Sequence, residues 1–337
     1  MRVWFNRWFS TAYHLITLMR AGAPDGTVFV GSSPNPHMLY RLVCDEWEEE
    51  PALPPGEEYA AFALRFCREH AIDVFFPRHA LTELARHRDA FRAQGTILAT
   101  GAAEMMALLD DKAAAYEFFA ARMPALVPPY RVAHSYEEFV AAYEELHPLC
   151  ARVCYKLTQD EGARTFRVID DRIAEAGAVW SKPGTKLTWE MAQKIMRGYD
   201  FSVPFLLMPY LDGREISADC METAAGPIVI PRFKTDHRYS EVCFDADIMA
   251  LCKEVMHHLQ IDVPINIQLR SDGTRYFLLE VNPRMSGGLQ LSCLASGINV
   301  PAIALSRLVG TELPWAYPEH GGVRRVANLE TPQLLEG

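Results

Sequence analysis

The sequence has no long hydrophobic run and no paired cysteine motif. No stretch of its 337 residues approaches the roughly 18 uncharged apolar residues of a membrane span, and no small-residue cleavage site follows a hydrophobic run. The eight cysteines contain no CxxC pair, and only Cys150 and Cys154 are close together. We interpret them as reduced thiols of a cytoplasmic protein that does not enter a membrane, rather than as disulfides or a zinc site.

An excess of positive charge is also missing. The chain has 33 Lys plus Arg against 43 Asp plus Glu, a formal charge of -10, which would repel a phosphate backbone. This balance argues against a nucleic-acid partner. Half of the residues are hydrophobic and 11% are aromatic, so the chain is expected to fold throughout, with a length that suits about two domains.

The first hundred residues alternate between strand and helix patterns but contain no GxGxxG motif. The patterns predict strands at 2–6, 27–31, 72–76 and 96–98, and helices at 11–21, 57–70 and 82–94. Such alternation favours an α/β module built on parallel strands. Without the glycine motif, a dinucleotide site lacks its usual support in the sequence.

After about residue 103 the pattern changes to that of an α+β module. A helix containing Asp111-Lys112 is expected to end near Met123, and the last fifteen residues, from Val323, carry no clear pattern. The remaining patterns predict helices at 136–146 and 247–259, strands at 152–156, 204–210, 215–221 and 227–233, and a hairpin of 265–270 with 275–281.

The predicted hairpin carries a group of polar side chains. Glu280 and Asn282 are two residues apart, so on a strand they point to the same face. Gln268 can share that face if the connection has three or five residues, and Gly273 suits a three-residue loop with a bulge. Carboxylate and amide oxygens are the ligands that Mg²⁺ accepts when phosphates and water complete its shell. The alternative is a surface strand with ordinary polar residues.

The residues that follow the hairpin could bind an anion. Arg284 lies two residues beyond Asn282, and Ser286-Gly287-Gly288 opens an apolar helical run whose first N–H groups could hold an oxyanion. Metal oxygens, an arginine and a helix N-terminus together describe a site for a transferring phosphoryl group.

These motifs resemble the ATP-grasp superfamily, especially its carbamoyl-phosphate-synthase and biotin-carboxylase branch. Glu280-Val281-Asn282-Pro283-Arg284, with Gln268 upstream and Ser-Gly-Gly downstream, resembles the metal-binding hairpin of that family. The segment from Leu207 to Asp219 is similar to its adenine hinge and ribose-binding glutamate, and Asp111-Lys112 and Cys154-Tyr155-Lys156 to its two phosphate-binding lysine segments.

The resemblance implies a Rossmann-like pre-ATP-grasp domain followed by an ATP-grasp fold, in which two α+β subdomains clasp ATP. We expect residues 1–102 to form the first domain, 103–205 the small ATP-grasp subdomain, and 206–337 the C-terminal subdomain with the metal site. The implied ligands are ATP and Mg²⁺, with Mn²⁺ as an alternative ion.

The resemblance also implies a role for each matching residue. Lys156 and Arg284 would be catalytic, and Gln268, Glu280 and Asn282 would bind the metal. The nucleotide would contact Lys112, Lys156, Arg164, Met208, Pro209, Tyr210, Leu211 and Glu215. The acceptor would contact Arg232, Lys234, Ser286, Gly287 and Gly288. The alternatives stay open at this stage: either lysine could be solvated, Glu215 could lie at a sheet edge, and Arg232 with Lys234 could belong to a solvated loop.

Three positions depart from the family pattern. Pro209 stands where the family usually has an acidic residue, although its carbonyl can still accept a hydrogen bond from adenine while the Leu211 N–H supplies the second one. The phosphate loop from Thr158 to Thr165 holds a single glycine, so Arg164 would supply by charge what backbone N–H groups supply elsewhere. Gln268 is neutral where some relatives have a carboxylate.

The implied reaction is that of a stand-alone carboxylate-amine ligase with an acyl-phosphate intermediate and two small-molecule substrates. Two rival functions remain: a kinase or bicarbonate-activating enzyme that uses the same ATP site, and a nucleotide-binding regulator with a weakened phosphate loop. A homodimer is compatible with the sequence, which does not fix the oligomeric state.

Overall fold

The computed structural model describes residues 1–160, 162, 164–174, 184–235, 237–319, 322–329 and 331–335. They fall into two compact units: one of residues 1–107, 214–269 and 281–337, and one of residues 108–213 and 270–280. The domain limits expected at residues 102 and 205 stay predictions.

The N-terminal region is a parallel α/β layer, as predicted. Its five strands pair in the order β3-β2-β1-β4-β5, all parallel. Their bounds are β1 Arg2–Asn6, β2 Val28–Ser33, β3 Glu46–Glu49, β4 Val74–Phe76 and β5 Ile97–Leu98. The helices between them are α1 Ala12–Arg20, α2 Glu57–Glu69, α3 Leu81–Arg86 and α4 Arg88–Ala93.

Two features of this layer were not predicted. The single helix expected at 82–94 is broken at His87, whose φ of −98° and ψ of 13° lie outside the helical region. The strand β3 was missed because its sequence, Glu-Trp-Glu-Glu, lacks a hydrophobic alternation that would bury one face. The core is nonetheless centred on the predicted first strand, where Trp4 stacks on Phe75 at 3.8 Å and on Phe66 at 4.2 Å between ring centroids.

The second sheet has the strand order β6-β10-β7-β8-β9. The elements of this region are α5 Ala103–Asp110, α6 Lys112–Arg122, β6 Arg131–Ala133, α7 Tyr136–Leu146, β7 Val153–Leu157, β8 Arg167–Ile169, β9 Lys186–Leu187, α8 Trp189–Met196 and β10 Phe205–Pro209. The prediction of one helix through Asp111-Lys112 is wrong, because α5 ends at Asp110 and Asp111 caps the start of α6. Its Oδ1 accepts hydrogen bonds from the N–H groups of Ala113 at 2.8 Å and Ala114 at 3.2 Å.

The third sheet has the strand order β15-β14-β11-β12-β13-β16. The elements are β11 Glu215–Met221, β12 Ile228–Lys234, β13 Tyr239–Val242, α9 Ala246–Leu259, β14 Ile265–Ser271, β15 Tyr276–Asn282, α10 Leu289–Ser296, α11 Val300–Leu308 and β16 Arg324–Ala327. The succession of strands β11, β12 and β13 is antiparallel, as predicted. The strand β16 lies in the C-terminal stretch for which no pattern was recognised.

The connection between β14 and β15 differs from the predicted three-residue loop. Four residues, 272–275, separate the two strands, and the Asp272 N–H donates to the Arg275 carbonyl at 3.2 Å. Gly273 has a φ of +102°, a conformation that favours glycine, so the sequence placed the turn correctly but not its length. Whether Gln268 shares a face with Glu280 stays a prediction.

No single helix in the described ranges has both the length and the apolarity to cross a bilayer. Only α10 and α11 taken together pass such a test, and they are bent by 100° at the break between them.

Candidate functional site

Two lysines of the second unit hold their ammonium groups against the backbone. Lys112 opens α6 and is 8% exposed, and its Nζ donates to the Asp160 carbonyl at 2.7 Å. Lys156 lies on β7, and its Nζ donates to the Leu279 carbonyl at 3.1 Å. The sequence predicted both residues as phosphate ligands, and the structure brings them close enough together for their charges to interact.

The electrostatics of this pair favour an incoming anion. Burial lowers the pKa of the Lys156 ammonium below its ordinary value, and the neighbouring charge of Lys112 lowers it further. Glu280 and, less strongly, Asp160 act in the opposite direction and favour the charged form of Lys156. A phosphate chain beside the lysines would add charge-assisted hydrogen bonds to both ammonium groups.

A buried tyrosine that the sequence analysis missed fixes the position of strand β15 in this unit. Tyr116 on α6 donates its hydroxyl to the Leu278 carbonyl at 2.8 Å and lies 3.5 Å from the Met208 sulfur. The Leu279 carbonyl, which accepts from Lys156, is 3.3 Å from the same hydroxyl. Nothing in the sequence around Tyr116 distinguished it from an ordinary core residue of the helix.

The predicted adenine segment follows β10, which pairs antiparallel with β7 so that Met208 lies opposite Cys154. Met208 and Leu211 are buried, as expected for side chains that pack on a ring, whereas Pro209 and Tyr210 are half-buried. Burial raises the pKa of the Cys154 thiol to about 12, so this cysteine stays protonated and is a poor nucleophile at neutral pH.

Two arginines hold the ring of Tyr210, and neither was predicted. The guanidinium of Arg152 lies 4.4 Å from the ring centroid and that of Arg270 lies 4.8 Å from it. Arg270 also donates to the Tyr210 hydroxyl at 2.9 Å, and Arg152 forms an ion pair with Asp212. Tyr210 and Asp212, which flank the predicted hinge residue Leu211, are therefore held by Arg152, just before β7, and by Arg270 on β14.

In the predicted phosphate loop, Asp160 and Thr165 contact each other. Asp160 accepts from the Thr165 N–H at 2.9 Å and from its hydroxyl at 2.7 Å. Arg164 is exposed, so its proposed contact with phosphate stays a prediction. Two residues of the predicted loop, Glu161 and Ala163, lie outside the described residues.

The predicted metal ligands supply oxygen atoms only. Gln268 uses its Nε2 to approach the Asn266 Oδ1 at 3.5 Å, which leaves its Oε1 for another partner. Asn282 accepts a hydrogen bond from Arg284 at 3.3 Å through its Oδ1, and Glu280 precedes it by two residues on β15. Among the residues that the structure describes, no three His, Cys, Asp or Glu side chains gather into a metal site.

Two predicted site residues, Glu215 and Lys234, are partners of each other. They lie at the ends of paired strands, because Ile216 pairs with Phe233, and they form an ion pair. The sequence assigned Glu215 to the ribose and Lys234 to the acceptor, and both assignments stay predictions. To bind a ligand, each of the two side chains would have to give up its present partner.

The segment after β15 that is predicted to bind an anion lies beside the first β–α connection. The guanidinium of Arg284 lies 5.5 Å from the centroid of the Phe9 ring, and Gly287 approaches the Thr11 hydroxyl. Ser286 is buried and accepts from the Gly288 N–H at 3.2 Å. The structure thus brings the predicted residues 284–288 together with Phe9 and Thr11, which the sequence analysis did not select.

Comparisons with known proteins agree on one fold. Residues 201–332 match the family model described as ATP-grasp in the biosynthetic pathway with Ter operon. No curated protein matches the chain. The biotin carboxylase domain of Hydrogenobacter thermophilus 2-oxoglutarate carboxylase, solved with MgADP, ADP and bicarbonate, is similar with a TM-score of 0.71 at 13% identity, covering 94% of this chain and 71% of that one.

Two further solved structures are similar over most of this chain. The L-amino acid ligase of Bacillus licheniformis has a TM-score of 0.63 at 15% identity, covering 92% of this chain and 74% of that one. Pyruvate carboxylase of Rhizobium etli has a TM-score of 0.65 at 17% identity over 93% of this chain. This chain spans only 29% of the length of that carboxylase.

The fold and these similarities define the class: the chain has a Rossmann-like domain followed by an ATP-grasp fold. The fold that the resemblance implied is confirmed. Within this class, residues 201–332 match the Ter-operon pathway family.

Proposed function

We propose that this protein is an ATP-dependent ligase that joins a carboxylic acid to an amine through an acyl phosphate. The observation that carries the proposal is the lysine pair, in which the ammonium groups of Lys112 and Lys156 donate to backbone carbonyls, with Glu280 and Asp160 as acidic neighbours of Lys156. Two ammonium groups held side by side could each form a charge-assisted hydrogen bond to a polyphosphate chain, which a neutral ligand would not offer.

The nucleotide would contact the residues that the motifs assign to it. The backbone of Pro209 and Leu211 would meet the adenine edge, while the buried Met208 and Leu211 side chains would pack on the ring. Glu215 would exchange Lys234 for the ribose hydroxyls. Lys112 and Lys156 would neutralise the α- and β-phosphates, with Arg164 as a further cation.

The oxygen donors fit Mg²⁺ only if the nucleotide supplies the rest of its ligands. One carboxylate, Glu280, and the amides of Gln268 and Asn282 form too weak a set to hold the ion without phosphate oxygens and water. Mn²⁺ accepts the same oxygen ligands. When bound, the ion would neutralise the oxygens of the transferring phosphoryl group. We therefore expect metal binding to depend on ATP.

In the proposed reaction an oxygen of the acid attacks the γ-phosphorus, the bond to ADP breaks, and an acyl phosphate forms. The amine then attacks the acyl carbon, inorganic phosphate leaves, and the amine gives up a proton. Lys156 would neutralise the charge that develops on the phosphates, while Arg284 and the Gly287 N–H would stabilise the tetrahedral oxyanion. The Gly288 N–H would join them only by giving up its hydrogen bond to the Ser286 hydroxyl. No side-chain nucleophile is required, which agrees with the raised pKa of Cys154.

The L-amino acid ligase supports an amide-forming activity, although its likeness reaches only 15% identity. The biotin carboxylase domain, solved with bicarbonate, supports the second candidate, a bicarbonate-activating enzyme that uses the same ATP site. The two functions differ in the second substrate. Only the ligase requires an amine for phosphate release.

The test is phosphate release from ATP and Mg²⁺ across a panel of acid and amine pairs. Release that needs both partners supports the ligase, and release with bicarbonate or one acid alone supports the second candidate. No release with any pair contradicts both. Glu280→Gln should reduce release by about a hundredfold or more, because it removes the one carboxylate proposed to hold the metal. Glu145→Gln is the matched control, since Glu145 lies on α7 in a surface ion pair with Arg131.

A further inference from the structure

The predicted phosphate loop contains an acidic side chain whose charge its own hydrogen bonds do not require. The Oδ2 atom of Asp160 accepts from the Thr165 N–H at 2.9 Å and from the Thr165 hydroxyl at 2.7 Å. The same hydroxyl accepts from the Leu157 N–H at 3.0 Å, so these contacts tie the two ends of the loop together. Both donors to Asp160 are neutral, and an uncharged acceptor such as the amide oxygen of asparagine could replace the carboxylate in this role.

Asp160 lies beside the lysine pair. The Lys112 ammonium donates to the Asp160 backbone carbonyl at 2.7 Å, and the Lys112 N–H donates to the Thr158 carbonyl at 2.9 Å. Burial is the largest influence on the pKa of Lys156 and lowers it, whereas the negative charges of Glu280 and Asp160 act to raise it. The Asp160 carboxylate therefore acts electrostatically on an ammonium group that the sequence assigned to phosphate.

The charges of these neighbouring side chains cancel. Lys112 and Lys156 are positive, and Glu280 and Asp160 are negative, so together they offer no net positive charge to a ligand. Free ATP is more negative than its Mg²⁺ complex, because the metal neutralises part of the charge on the phosphate oxygens. A carboxylate beside the lysine pair therefore repels the phosphates of both forms, and it repels the metal-free form more strongly.

We propose that Asp160 is a specificity-determining residue that favours the metal complex of ATP over metal-free ATP. This inference rests on the proposed function, which places the phosphates at the lysine pair. Glu280 is also negative, but it is assigned to hold the metal, whereas Asp160 acts on the charge of the nucleotide through space. A site with this property holds ATP mainly when the ion that phosphoryl transfer needs arrives with it, so metal-free ATP does not occupy the site unproductively.

Calorimetry of the full chain measures the Kd of a nonhydrolysable ATP analogue, once with EDTA and once with saturating Mg²⁺, at constant ionic strength. Wild type should bind the Mg²⁺ complex more tightly than the metal-free analogue. Asp160→Asn keeps an acceptor oxygen for Thr165 and removes the charge, so the ratio of the metal-free Kd to the Mg²⁺ Kd should fall about fivefold or more. Most of this change should come from tighter binding of the metal-free analogue.

Thr165→Val separates the charge of Asp160 from the geometry of the loop. It removes the hydroxyl contacts to Asp160 and Leu157 but keeps the carboxylate, so the ratio of the two Kd values should stay close to that of wild type. Glu144→Gln changes an exposed acid on α7 of the same unit and should leave both Kd values unchanged.

Three results would overturn the inference. One is a wild-type chain that binds the metal-free analogue as tightly as its Mg²⁺ complex. Another is an Asp160→Asn variant with an unchanged ratio, or with both forms weakened equally, which would leave Asp160 a structural residue of the loop. The third is a fall of the ratio in Thr165→Val as large as the fall in Asp160→Asn.

The same titrations separate this inference from the proposed function. If wild type binds the analogue in neither form, the proposed nucleotide site is wrong and the inference on Asp160 fails with it. If the analogue binds with the expected ratios but no acid and amine pair supports phosphate release, the ligase proposal fails and the inference on Asp160 stands.

Discussion

Replacing Lys156 with methionine should weaken ATP binding without lowering the stability of the folded chain. The ammonium of Lys156 is held on the Leu279 carbonyl, and burial lowers its pKa below the ordinary value. The charged form is therefore less favourable in the folded chain than in the unfolded chain. This penalty is fully present below the folded pKa and fades as the pH rises from there to the ordinary value. Lys156→Met removes it and keeps most of the apolar stem.

The variant should therefore be no less stable than wild type at neutral pH, and it should bind ATP poorly. One lost charge-assisted hydrogen bond to phosphate is worth about 1.5–3 kcal/mol, which corresponds to a Kd about 10 to 150 times higher. The Leu279 carbonyl, released from the ammonium, still has the Tyr116 hydroxyl at 3.3 Å. We expect no large loss of stability from that carbonyl.

Calorimetry with a nonhydrolysable ATP analogue measures the affinity, and thermal unfolding at pH 7 measures the stability. Lys194→Met is the matched control, since Lys194 is an exposed lysine of α8 in the same unit. An unchanged Kd for Lys156→Met would refute the assignment of Lys156 to the phosphates. A lower melting temperature with unchanged Kd would show that Lys156 has a structural role instead.

Two further predictions concern stability in the second unit. Tyr116→Phe should lower the free energy of unfolding by about 1–3 kcal/mol, because the buried Leu278 carbonyl loses its hydrogen bond from the hydroxyl. Denaturant titration measures this, and a change below about 0.5 kcal/mol would contradict the prediction. The side chain of Asp170, hydrogen-bonded to Arg172, has a pKa lowered to about 2, so Asp170→Asn should destabilise the chain at pH 6. The difference in stability between wild type and Asp170→Asn should shrink as the pH falls from about 4 towards 2. A difference that is independent of pH would contradict the lowered pKa of Asp170.

The sequence predicted the features that depend on local pattern. The parallel strands of the N-terminal layer were recognisable because buried runs such as Ile72–Phe76 alternate with helical patterns. The turn at Gly273 was recognisable because its φ of +102° requires a residue such as glycine. The break before α6 was also encoded locally, since Asp111 is a typical N-cap, but the helical pattern on both sides hid it.

Features that depend on register or on distant contacts could not be predicted. The pairing of Glu215 with Lys234 follows from the alignment of β11 with β12, which no spacing in the sequence reveals. The stacking of Arg152 on Tyr210 joins residues nearly sixty positions apart. Arg232 was selected for its charge, but its burial against Gly288 depends on how β12 meets α10.

The fate of the carboxylate oxygen tests the ligase mechanism most directly. The acid that supports phosphate release would be supplied with ¹⁸O in its carboxylate, together with its amine, ATP and Mg²⁺, and the released phosphate would be examined by mass spectrometry. An acyl phosphate transfers one oxygen of the acid to phosphate, so we expect one ¹⁸O in each phosphate released. Phosphate that carries no ¹⁸O would contradict the proposed reaction.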